Sequence, residues 1–91
     1  MAHLVVEQTF DAPLTDEEHG RLGQRLDKCL EAYSARWMRS YLATDRRRMV
    51  CEFEAVDAEA VRASYRSAGL GFDRVWVAEV YAREPSMTAT K

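Results

Sequence analysis

The side chains best equipped for chemistry in this chain are few: His3, Glu7, Trp37, Arg39, Tyr41, Glu52 and Glu79. Alternate residues of an extended chain share a face, so His3 and Glu7 lie on the same side of a first strand. An imidazole beside carboxylates suits a borderline divalent ion, which makes His3 and Glu7 the candidate metal ligands. Arg39 and Tyr41 also share a face, with Trp37, and offer a guanidinium and a phenol that can orient an anionic or carbonyl-bearing ligand. Glu7 or Glu52, shielded beside them, has the chemistry of a proton-transfer base. The plainer alternative is a charge-compensated pair with Arg39, because a shielded carboxylate is costly unless it is paired.

These residues need strands to carry them, and the chain supplies four. Residues 3–10, 35–44, 49–55 and 74–82 read as strands. Thr15, with Glu18 three positions on, is the spacing of a capping box, and Asp16 and Glu17 put negative charge at that helix's positive end. Leu22, Leu26, Cys29, Leu30 and Tyr33 then form one apolar stripe. Gly20 and Gly23 each cost a helix up to about 1 kcal/mol relative to alanine, and they suggest close packing against a neighbour. Asp57 caps a second helix over residues 58–68, with Val61, Tyr65 and Ala68 inward and Gly69 at the left-handed C-terminal position. The order strand, helix, strand, strand, helix, strand is that of the ferredoxin-like fold, an α+β class with both helices on one face of an antiparallel sheet. Residues 1–82 make this domain, and residues 83–91, interrupted by Pro85, read as a flexible tail.

Composition narrows the functions. With 13 basic and 15 acidic residues the net charge is −2, so the basic surface that gives most nucleic-acid affinity is missing. No segment approaches the roughly 18 to 20 apolar residues that cross a bilayer, and a cytoplasmic location is expected. Cys29 and Cys51 are too far apart for a close-spaced zinc pair and read as buried, reduced thiols. Arg46, Arg47 and Arg48 read as an exposed hairpin tip rather than an anion site, and His19 as a surface or structural residue of the first helix. There is no C-x-x-C, glycine-rich phosphate loop or aromatic RNA-reading strand. The chain contains no asparagine, which weakens a cofactor-free monooxygenase reading that would use Asn, Trp and His.

The alternation assigns Leu4, Val6, Met38, Leu42, Met49, Cys51, Phe53, Trp76, Ala78 and Val80 to the helix-covered face. His3, Val5, Glu7, Thr9, Trp37, Arg39, Tyr41, Val50, Glu52, Glu54, Val75, Val77, Glu79 and Tyr81 then fall on the other. Such a face would expose an apolar patch on the order of several hundred Å², more than a monomer normally leaves in water. A second copy is the simplest cover, giving a homodimeric α/β barrel. Its cavity would be lined by His3, Glu7, Trp37, Arg39, Tyr41, Glu52 and Glu79.

The segments "LVVEQTFDAPLTDEE", "RSYLATD", "CEFEAVDAEAVR" and "SAGLGFDRV" resemble the small bacterial domains grouped as nickel-responsive or nickel-binding proteins. The resemblance runs from Leu4 to about Val80. It implies a ferredoxin-like dimer that binds a divalent metal, nickel, with recurring positions at Glu7, Ser40, Tyr41, Cys51 and Glu54. The family pattern carries a histidine where this chain has Ser64 and a proline where it has Gly71, so a ligand set using that histidine is incomplete here. The expected function is a binding protein that holds a small ligand or divalent metal in the sheet-side cavity of a homodimer. The alternatives are a small cofactor-independent enzyme of the same barrel class (a monooxygenase, isomerase or cyclase), with Glu7 or Glu52 as base, and a purely structural interaction module.

Overall fold

The computed structural model describes residues 1–83, so the tail expected over 83–91 lies outside the described residues except for Arg83. Its elements are β1 (Ala2–Thr9), α1 (Asp16–Ala32), β2 (Arg36–Leu42), β3 (Arg48–Ala55), α2 (Ala58–Ala68) and β4 (Arg74–Ala78), in the expected order. The strands form one antiparallel sheet ordered β2-β3-β1-β4. This is the ferredoxin-like arrangement. No described helix is long and apolar enough to cross a membrane.

Register sorts the side chains. Three rows run across the helix-covered face: Trp37, Phe53, Leu4 and Val77; Ser40, Cys51, Val6 and Val75; Leu42, Met49 and Gln8. Leu4, Val6, Phe53 and Ala55 are fully buried there against Val61 and Tyr65 of α2. Edge-to-face stacking links Phe53 to Tyr65 and Tyr65 to Phe72, with ring centroids 5.9 and 5.8 Å apart. Such pairs add about 0.5–1.5 kcal/mol beyond burial.

Two strands depart from simple alternation. In β2, Trp37 opposes Phe53 and Arg39 opposes Glu52, leaving Met38 as an unpaired extra residue. This β-bulge turns Trp37 to the helix side, whereas the alternating pattern put it with Arg39 and Tyr41. In β4, Val75 and Val77 pair with Val6 and Leu4, so they face the helices, and Trp76 and Ala78, opposite Val5 and His3, face away. The expected assignment of β4 was one residue out, which reverses every side chain. The strand also stops at Ala78 rather than Ala82.

The local signals hold at the helix ends. Thr15 Oγ1 accepts from the Glu18 amide, and the Glu18 carboxylate accepts from the Thr15 amide at 3.3 Å. Asp57 caps α2, and Gly69 ends it in the left-handed region at φ 72°. A Cβ at Gly69 would stand 2.8 Å from the Arg25 guanidinium, which donates to the Ala68 carbonyl. The arginine run does more than decorate a turn. Arg46 donates to the Leu14 carbonyl and pairs with Asp16, and Arg47 donates to the Asp11 carbonyl, fastening the β1 to α1 loop to the hairpin. Thr15→Ala removes the cap and should cost about 1 kcal/mol. For a domain of this size that is a fall of roughly 4–8 °C in Tm, read by thermal denaturation; an unchanged Tm would contradict the capping assignment.

Candidate functional site

The face without helices carries three rows: Tyr41, Val50, Glu7 and Arg74; Arg39, Glu52, Val5 and Trp76; Arg36, Glu54, His3 and Ala78. Each row has an arginine and a glutamate on facing strands. Arg39 Nε lies 3.2 Å from Glu52 Oε1, Arg36 is 2.6 Å from Glu54, and Arg74 is 3.4 Å from Glu7. Diagonal neighbours are also within reach of long side chains. His3 Nε2 accordingly sits 3.3 Å from the same Glu52 oxygen, and Trp76 Nε1 donates to Glu7 at 2.8 Å.

The structure therefore brings His3, Arg39 and Glu52 into one cluster and places Glu7 in a second, with Trp76 and Arg74. Tyr41 flanks this face from β2, half-exposed at 53%, as Trp76 does from β4 at 44%. Trp37 does not join, because the bulge sends it to the other side. Glu79 lies beyond the end of β4, and its carboxylate accepts from the Tyr81 hydroxyl at 2.9 Å. The apolar part of the face is smaller than expected. It holds Val5, Val50, Tyr41 and Trp76, since Val75 and Val77 point to the helices and Tyr81 follows the strand.

A metal needs donors free to converge. Among the described residues there is no group of three or more His, Cys, Asp or Glu placed to hold an ion. His3 and Glu52 supply two donors, and Arg39 already occupies the carboxylate oxygen that they share. The donor types suit nickel, but one chain does not complete a site. Ser64, where the resemblance led to the expectation of a missing histidine ligand, is fully buried in α2 and donates to the Ala60 carbonyl at 2.8 Å.

A second polar assembly lies across the sheet. Trp37 Nε1 donates to Ser40 Oγ at 2.9 Å, and Ser40 Oγ donates to Cys51 Sγ at 3.0 Å. The Tyr65 hydroxyl also hydrogen bonds with Cys51. Burial pushes the Cys51 thiol above its ordinary value, against the opposing effects of the bonds from Ser40 and Tyr65. Burial raises Tyr65 well above the ordinary phenol range, reinforced by the charge that Cys51 would carry. Gln8, 7% exposed, donates to the Gly71 carbonyl at 2.9 Å. Continuing the alternation from Leu4 and Val6 points Gln8 inward, a signal that the sequence reading passed over. Cys29 is half-buried, in contrast to Cys51.

A four-stranded antiparallel sheet with two helices on one face and an ion-paired face on the other defines a ferredoxin-like α+β domain. Residues 4–77 match the family described as nickel responsive protein SCO4226-like, and the chain belongs to that family. The crystal structure of SCO4226 from Streptomyces coelicolor A3(2) is similar, with a TM-score of 0.80, 17% identity, and coverage of 89% of this chain and 100% of that one. At that identity the likeness speaks for the fold. No protein with a curated function matches.

The raised thiol and phenol fix the sign of a pH effect. Both groups are neutral when protonated, and the fold favours their protonated forms. Above the unfolded thiol's value of about 9 the unfolded chain binds fewer protons than the native one, so stability present below that pH falls as pH rises. Urea midpoints should drop from about pH 9 upward, and Cys51→Ala should flatten the first part of that slope. A midpoint that stays level through this range would count against it.

Proposed function

We propose that the protein is a cytoplasmic binding protein acting as a homodimer through its helix-free sheet face, with a divalent cation, nickel foremost, held between the two copies. The observation that carries this reading is the His3 imidazole 3.3 Å from the Glu52 carboxylate on a face that carries no helix among the described residues. One copy offers two donors, and two copies related by a two-fold axis offer four, a coordination number that borderline ions accept. Half-exposed Tyr41 and Trp76 at opposite edges of the face give a partner sheet apolar contact on both sides of the charges. Membership of a nickel-responsive family supports the choice of ion.

Binding is favoured over catalysis by the state of the two candidate bases. Glu52 accepts from Arg39 and Glu7 from Trp76 and Arg74, so both carboxylates are engaged as acceptors rather than poised to take a proton. Arg39 gives the sharper test. Its guanidinium competes with a cation for Glu52 and would instead assist an anionic ligand. Calorimetric titration of nickel into the chelator-treated protein should therefore tighten for Arg39→Ala. Affinity should weaken by roughly tenfold or more for His3→Ala and for Glu52→Gln, a loss of about 1.4 kcal/mol or more. Light scattering should give twice the mass of one chain. Absence of nickel heat in the parent protein, or a monomer at micromolar concentration, would sink the proposal.

A further inference from the structure

The side of the sheet away from the ion pairs holds a pocket of about 300 Å³ beneath α1, open to solvent along the exposed Gly20, Gly23 and Trp37. Its floor reaches into the core at Met49, Cys51, Phe53 and Tyr65, all buried. The pocket follows from how α1 lies. Of its 17 residues only Leu30 is fully buried, while Leu22 and Leu26 are half-buried. Gly20 and Gly23 contradict the expected close packing: a Cβ built at either has no atom within 4 Å. Both glycines are exposed, so they leave the rim of the pocket open rather than seat the helix on a neighbour.

The lining sets the chemistry of an occupant. Leu22, Leu26, Leu30, Met49 and Phe53 supply apolar walls. The uncharged polar groups among them are the Trp37, Ser40, Cys51 and Tyr65 chain with Gln8, and Gln24 at the exposed rim. No lysine or arginine lines the space, and its titratable groups on α1 are His19 and Asp27, both exposed. An anion would find no fixed positive charge, and the Asp27 carboxylate is exposed at the rim, so an ion moving in toward Ser40 and Cys51 would forfeit hydration with no counter-charge beside it. Sites for small molecules combine apolar walls with a few convergent polar groups and begin at about 300 Å³. An apolar void of about half this volume is enough to take benzene.

We infer that this cavity binds an uncharged, largely apolar molecule of about one to two fused aromatic rings, with its polar atom toward Ser40 and Cys51. The site is independent of the metal reading, because it uses the opposite face and none of the same residues. The thiol is a hydrogen-bonding contact here and not a nucleophile, since burial keeps it protonated.

1-Naphthol, uncharged at neutral pH and carrying one hydroxyl, is the probe. Titration followed by amide and indole NMR should be saturable, with Kd below about 1 mM. The Trp37 indole and the Gly20 and Gly23 amides should shift, while the Trp76 indole on the far face stays in place. Gly23→Leu projects into the empty space and improves helix propensity, so it should weaken binding by roughly tenfold or more with no loss of Tm. Gly20→Leu, at the other open position, is expected to do the same. Shifts centred on Trp76, no saturation, or 1-naphthol binding that both leucine variants leave unchanged would overturn the site. A raised Tm in those variants with no binding by the parent protein would overturn it too, leaving only a packing gap.

Discussion

The antiparallel pairing of β1 with β3, from Ala2 opposite Ala55 to Thr9 opposite Arg48, is the constraint on which the other features rest. Eight consecutive pairs fix which side chains share a row, and period-two alternation then leaves each strand one inward set. Leu4 and Val6 meet Phe53 and Cys51 on the helix side, and the same register sets His3 diagonal to Glu52 on the other. A slip of one residue would bury Glu7 and Glu52 and expose Phe53. The large cost of leaving carboxylates in the core makes that alternative uncompetitive.

What the sequence revealed follows from where its pattern was unambiguous. In β1 and β3 large apolar residues alternate with polar ones, so their faces could be read directly, and the caps at Thr15, Asp57 and Gly69 marked helix ends by their own chemistry. The failures lie where both alternating sets are apolar. "RWMRSYLA" places large side chains on both parities, and the bulge at Met38 resolves the conflict by sending Trp37 inward and Arg39 outward. "VWVAEV" carries no polar residue until Glu79, so its face was decided by pairing with β1 rather than by local pattern. Of the candidate site, Glu7, Arg39, Tyr41 and Glu52 were assigned to the right face, and His3 with them. The link from His3 to Glu52 is a cross-strand relation that spacing along one strand does not encode.

The cavity has the same origin as these misreadings. A helix stripe of Leu22, Leu26, Cys29 and Leu30 predicts that α1 packs, but it does not say how closely. Trp37, on the helix side yet half-exposed, has its indole bonded to Ser40 and stands at the β2 edge of the pocket under that helix. The bulge therefore affects both faces at once, taking an aromatic from the open side and adding it to the wall of the space under α1.

Stability is divided unequally between the faces. The three arginine and glutamate pairs of the open face are solvent-accessible on at least one partner, and exposed pairs are worth about 0.2–1 kcal/mol each. Truncating one large core residue such as Phe53 or Tyr65 removes about 3–5 kcal/mol, so the side covered by the helices dominates the stability. On the proposed function, a cation would displace Arg39 from Glu52, and a second sheet would take up Trp76, at little cost to the fold built on Leu4, Phe53 and Tyr65. A binding surface built on the face that contributes least to stability can change its contacts while the fold that positions it stays intact.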